Sequence, residues 1–237
     1  MSTSLSLYSE GRMSGFIELS VRGEGKFIAP FALQHMRAAL LFNKRVVQAE
    51  NSNTGKPLGP FIEDILIHGS ACFMSSAAAL EALINELFMM QDGPLHSSST
   101  DFDSKANEET ARPSTLDKYQ KAIDVLGVAR IQKGSKCFQD ASSLFLLRNA
   151  LIHYKPPWDP TLNEGLESRL RGRFATCPFV DQGADFVALK CMSAGGVTWA
   201  VNTVFAFVEE FYERTQIFPK KMQQFLSLKD AVQSQQS

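Results

Sequence analysis

The feature that most constrains the fold is the run 61–90, in which Ile62, Leu66, Phe73, Ala77, Leu80, Ile84 and Leu87 recur along one stripe at helical spacing. A helix with so continuous an apolar stripe must bury it against other elements, and the segments able to cover it also read as helices. Pro30 opens a stretch, 31–48, in which Leu33, Met36, Leu40 and Val47 recur near helical spacing. A Gly/Asn/Pro turn at 51–60 separates it from the long helix. Ser114 or Thr115 is placed to cap a third helix running to Val128. A turn at 132–135 leads into a helix that Pro156 and Pro157 stop. A basic helical segment, 162–173, follows. The last strong helix, about 186–216, sets Val197, Val201, Val204, Val208 and Phe211 on one face. The sum is an all-α bundle of four to five core helices over residues 30–218.

The flanks read differently. In 1–29, Ile17, Leu19 and Val21 alternate with Glu18, Ser20 and Arg22 before Gly23-Glu24-Gly25, the pattern of a small hairpin or an ordered arm. Residues 92–115 are polar and rich in Ser, Asp and Glu, with Gly93, Pro94 and Pro113, which predicts a mobile loop inside the bundle. Residues 219–237 read as a C-terminal tail, disordered over 233–237.

Composition narrows the chemistry. With 237 residues, 44% hydrophobic and 21% charged, the chain suits one sizeable globular domain. Lys and Arg number 24 against 25 Asp and Glu, so no global field attracts nucleic acid, and any polyanion contact has to be local. Cys72, Cys137, Cys177 and Cys191 are scattered, with no Cys-x-x-Cys pair, which argues against structural zinc and a disulfide framework and fits a reducing cytoplasm. Residues 1–12 lack the basic start and apolar run of a signal peptide. Residues 191–208 carry no charge, but Ser193, Gly195, Gly196, Thr198, Asn202 and Thr203 dilute them. They read as a buried core helix and not a membrane span.

Three constellations could carry chemistry. The first lies in 144–153, Leu-Phe-Leu-Leu-Arg-Asn-Ala-Leu-Ile-His, where Arg148, Asn149 and His153 interrupt an apolar arc of Leu144, Phe145, Leu147, Leu151 and Ile152. An arginine in that arc needs an anion, either an internal carboxylate or a phosphate that comes and goes. On a straight helix Asn149 and His153 stand about 40° apart, but Arg148 and His153 about 140°. The two therefore share a pocket only if the helix unwinds before the prolines or if two copies meet across a two-fold axis. The second is Glu81 with Asn85 at the edge of the long stripe, which makes Glu81 the expected internal partner of Arg148. Asp64 and His68 are also four apart but stand alone, and no repeated Glu-x-x-His pair points to a metal site. The third is Lys155 with Arg169, Arg171 and Arg173, either a solvated face or a phosphate-contact patch beside His153.

Arg148-Asn149-Ala150-Leu151-Ile152-His153 resembles the motif of the HEPN superfamily: arginine, a polar residue, three variable residues, then histidine. The helix carrying Ala79-Leu80-Glu81-Ala82-Leu83-Ile84-Asn85-Glu86-Leu87 is similar to the first core helix of that family. The resemblance implies a small helical bundle that forms a homodimer through the Arg148/His153 helix. It further implies a metal-independent endoribonuclease without cofactor, often in toxin–antitoxin or phage-defence settings and then paired with an antitoxin. Other members are noncatalytic dimerisation or ligand-binding modules. For an active member, Arg148, Asn149 and His153 are the implied catalytic residues, the RNA 2′-hydroxyl the nucleophile, and a 2′,3′-cyclic phosphate and a 5′-hydroxyl the products.

Overall fold

The computed structural model describes residues 29–90, 93–96, 113–155 and 164–229, and among them there are helices and no strand. Residues 1–30 and 31–237 are separate units. Of the first only Ala29 and Pro30 are described, so the hairpin or arm expected at 1–29 lies, Ala29 apart, outside the described residues. The second unit runs α1 (Phe31–Ser52), α2 (Phe61–Met89), α3 (Thr115–Val125), α4 (Lys136–Ile152), α5 (Glu164–Leu170), a π-helical turn (Phe186–Lys190), α6 (Ala194–Thr215) and α7 (Pro219–Leu226). The all-α class inferred from periodicity is the observed one.

α2 is the axis of the bundle, as its stripe demands. Phe73, Ala77, Leu80, Ile84 and Leu87 are fully buried, while Ile62 and Leu66, in its first turns, are half-buried. α1 packs along α2, α6 lies against both, and α4 packs on α2 and α6. α3 closes the core with Tyr119, whose ring meets Phe207 and Phe211 edge-on at 5.0 and 4.9 Å. The Tyr119 hydroxyl, fully buried, donates to the Leu80 carbonyl at 2.9 Å, so its one polar atom is satisfied.

Two helix starts are capped from another helix. Glu86 of α2 accepts from the Ala32 N–H at 2.8 Å, at the start of α1, and its other oxygen holds Lys221 of α7 at 2.5 Å. Glu50 of α1 accepts from the Ala194 N–H at 2.7 Å, at the start of α6. Each carboxylate satisfies an orphan donor and sits at the positive end of a helix dipole. α3 uses the local cap expected, with Ser114 Oγ accepting from the Asp117 N–H. It ends at Val125, three residues short of the expected limit.

Three expectations need correction. The single helix over 186–216 is broken, because Ser193 is extended (φ −146°, ψ 160°) and its hydroxyl accepts from Gly196 N–H while donating to Ala175 O. Gly195 and Gly196 make the break close tightly: a Cβ at Gly195 would lie 2.4 Å from the Ala175 carbonyl, and one at Gly196 2.2 Å from the Cys191 carbonyl. The tail assigned to 219–237 starts as α7, whose Met222 and Phe225 are buried, with Pro219 at its first position; residues 230–237 lie outside the described residues. The mobile loop at 92–115 is partly anchored, since Leu95 is fully buried and Ser114 is a helix cap; residues 97–112 lie outside the described residues. The uncharged stretch 191–208 supplies α6, whose Val197, Ala200, Val204 and Val208 are fully buried in the core. Among the described residues, α2 alone is long and apolar enough to cross a membrane.

Candidate functional site

The buried part of α4 lies earlier along the helix than expected. Leu144 and Leu147 are fully buried, but the rest of the buried face comes from earlier in the helix: Phe138, Asp140, Ala141 and Ser143. Phe145 and Leu151 are half-buried, and Ile152 is 48% exposed. The helix thus enters the core at its N-terminal end and emerges from it at its C-terminal end. Arg148 consequently stands at the rim and not in the middle of a buried arc, its side chain 32% exposed.

At that rim Arg148 has two neighbours. Its Nη1 donates to Asn149 Oδ1 at 3.0 Å, and its Nη2 lies 3.6 Å from Glu81 Oε2. The Glu81 side chain is itself 42% exposed, so this is a loose, hydrated ion pair. Asn85, one turn on from Glu81, accepts from Lys118 Nζ at 2.8 Å and is turned to α3. The helix ends at Ile152, and His153 leaves it (φ −102°, ψ 31°) with its N–H still donating to Asn149 O at 2.9 Å. Asn149 and His153 are exposed, as are Tyr154 and Lys155. The helix therefore ends before the prolines, with His153 as its C-cap.

Arg173 of the basic segment is held toward the start of α4 and not beside His153. Arg173 donates through Nη1 to Asp140, a carboxylate whose side chain is only 6% exposed, and through Nε to the Arg169 carbonyl. Asp140 lies thirteen residues before His153, about 20 Å along the axis of α4. Arg171 pairs with Glu167 one turn away at 2.8 Å. Of the four cations named from sequence, Lys155 is the one next to His153 in the chain.

Two residues of interest carried no clear signal in the sequence. Asp140 takes Lys136 Nζ on its second oxygen at 2.6 Å, making a Lys136–Asp140–Arg173 triad at the N-terminal end of α4. Its i, i+4 spacing from Lys136 was legible, but burial and the reach to Arg173 were not. Tyr154, 41% exposed, has its phenol pushed above its ordinary value by desolvation and by the Asp185 carboxylate beside it. That contact ties the exit of α4 to the π-helical turn.

His68 Nδ1 bonds the Asp64 backbone carbonyl at 2.8 Å, so its partner is the backbone and not the Asp64 carboxylate. Among the described residues no three His, Cys, Asp or Glu side chains gather as a candidate metal site. Compared with protein-family models, curated proteins and solved structures, the chain matches none of them.

Proposed function

We propose that this protein is a HEPN-like, metal-independent endoribonuclease that acts as a homodimer, with Arg148, Asn149 and His153 as its catalytic residues. One observation carries the reading: all three side chains reach solvent at the exit of α4, and among the described residues Arg148 is held by Asn149 and a 3.6 Å pair with Glu81. A guanidinium held so loosely exchanges its carboxylate for a phosphate readily.

RNA brings its own nucleophile, so the step needs proton transfer and charge neutralisation. A base removes the 2′-hydroxyl proton as the 2′-oxygen bonds to phosphorus. The bond to the 5′-oxygen breaks, and an acid returns a proton to that leaving oxygen. His153 fits either role, and its copies in the two protomers divide them. Arg148 neutralises the charge on the phosphorane oxygens, Asn149 orients the phosphate, and Lys155 adds a contact to a neighbouring phosphate. Exposed Ile152 and Tyr154 flank His153 and supply apolar surface for the dimer contact. The setting proposed is a toxin–antitoxin or phage-defence pair in the cytoplasm, with an antitoxin or regulatory protein as partner.

A second reading is favoured by the carboxylate of Glu81 beside Arg148 and by the internal pairing of Arg171 and Arg173. These lower the positive charge available to RNA, as suits a noncatalytic HEPN-like module that dimerises or holds a small anion. The test is incubation of purified wild type and His153→Ala with single-stranded and transfer RNA in EDTA. Cleavage by wild type alone, leaving cyclic-phosphate ends, is expected. Intact RNA with a folded wild-type dimer would refute catalysis and leave the noncatalytic module.

A further inference from the structure

At the far end of α4 from Arg148, an open cleft of about 890 Å³ lies between α1, the first turn of α4, the 173–174 segment and the first turns of α6. Two cations line it, Lys136 and Arg173, and both also hold the buried carboxylate of Asp140. Neither is used up by that contact. The Lys136 side chain is 85% exposed, and its ammonium has three donors, one of them on Asp140. Arg173 commits Nη1 to Asp140 and Nε to the Arg169 carbonyl. Those two bonds fix the guanidinium plane and leave Nη2 without a partner among the described residues. No carboxylate is among the lining residues, and Glu50 of α1 is turned to the Ala194 N–H.

The local charge decides which anion fits. Lys136 and Arg173 are both cationic and Asp140 offsets one of them, so the trio presents a single net positive charge to the cleft. A phosphate monoester carries close to two negative charges at neutral pH and would be left half unmatched. A carboxylate carries one, and a guanidinium beside an ammonium suits it. The rest of the lining calls for more than a bare anion. Val47, Phe174 and Trp199 make an apolar wall, with the Phe174 and Trp199 rings 5.3 Å apart. Asn51 of α1 and Asn202 of α6, both exposed, line the same cleft. Each carboxamide both donates and accepts, the complement of a peptide group. The volume is near the upper end of the range for small-molecule sites, which gives room for several residues and not one alone.

We infer that this cleft binds the C-terminal end of a peptide. The chain-terminal carboxylate sits on Lys136 and Arg173, the last side chain packs on Phe174 and Trp199, and the preceding peptide groups pair with Asn51 and Asn202. The carboxylate fixes the chain end, and the apolar wall selects the side chain beside it. The site is separate from the Arg148/His153 end, since Lys136 and Arg148 are twelve residues, about 18 Å, apart along α4. It stands whether or not the protein cleaves RNA.

The test is isothermal titration of the full chain with acetylated tri-alanine peptides extended by a last Phe, Leu, Val or Trp, each up to about 5 mM. Every peptide is run as its free acid and as its C-terminal amide, beside acetyl-phenylalanine, acetate and inorganic phosphate. At least one free acid is expected to bind saturably, at least about tenfold tighter than its amide and than either small anion. Lys136→Ala and Asn202→Ala, both at exposed positions, are each expected to weaken it severalfold with the helical circular dichroism unchanged. Absence of saturable binding by every free acid overturns the inference, and so does an amide that binds as tightly as its acid. Acetyl-phenylalanine or phosphate binding as tightly as the best peptide overturns it too, as does affinity unchanged in both folded variants.

Discussion

Asp140→Ala is the perturbation that most directly tests how α4 is held. The carboxylate is 6% exposed and takes Lys136 on one oxygen and Arg173 on the other. The two limbs are unequal. Lys136 is 85% exposed, so its limb is screened and worth about 0–1 kcal/mol. Arg173 is 26% exposed, and without Asp140 it keeps a charge that water only partly reaches. Stranding one member of a fully buried pair costs about 3–5 kcal/mol, and partial access to water brings the expected loss to about 2–3 kcal/mol. For a domain of this size that is a fall in Tm of about 4–12 °C. Urea unfolding followed by circular dichroism gives the free energy, and Lys136→Ala should cost under about 1 kcal/mol in the same assay. Because most of the loss is the stranded charge, adding Arg173→Met to Asp140→Leu should recover much of it. A single variant within about 0.5 kcal/mol of wild type would refute the reasoning, since surface substitutions do no more than that.

Two further outcomes follow from the same geometry. Glu81→Ala and Arg148→Ala should each cost about 0–1 kcal/mol, and a double-mutant cycle should show coupling no larger, because the pair is 3.6 Å long and partly exposed; a loss of about 3 kcal/mol or more, what a buried pair costs, would contradict the exposed geometry. Stability should also fall in alkali: burial pushes the Cys72 thiol from 9.0 up to about 12 and raises the Tyr119 phenol well above 10.0. The unfolded chain loses these protons first, so their contribution is complete below about pH 9 and is lost as pH rises toward the folded values. A thermal series across that range should show Tm falling, with a shallower slope in Cys72→Ala; parallel slopes would remove the thiol from the account.

Periodicity made the helices legible because it reports burial directly. The stripe of α2 and the valines of α6 were readable because each face is covered along nearly its whole length. What was not legible depended on partners distant in sequence. The starts of α1 and α6 are capped by Glu86 and Glu50, which no local window connects to Ala32 and Ala194. The break before α6 did have a local signal, Ser193-Ala194-Gly195-Gly196, but the run of apolar residues on either side outweighed it. α7 was missed because its two buried residues, Met222 and Phe225, are too few to set a period in so short a segment.

The same distinction separates the two ends of α4. From sequence, 144–152 looked like the buried portion and Arg148 like a charge in need of rescue. In the fold, the buried charge is Asp140, eight residues earlier, while Arg148 stands where the helix emerges. An amphipathic arc fixes which direction a helix faces but not where along its length the core ends. That end is set by its neighbours, here α2 and α6. Had Arg148 been buried, Glu81 would be indispensable to the fold and the guanidinium unavailable to a ligand. Standing at the rim, the pair is expected to add little to stability, and the exposure of Arg148, Asn149 and His153 is what the proposed phosphate contact requires, while the buried charge of α4 is Asp140, held by Arg173.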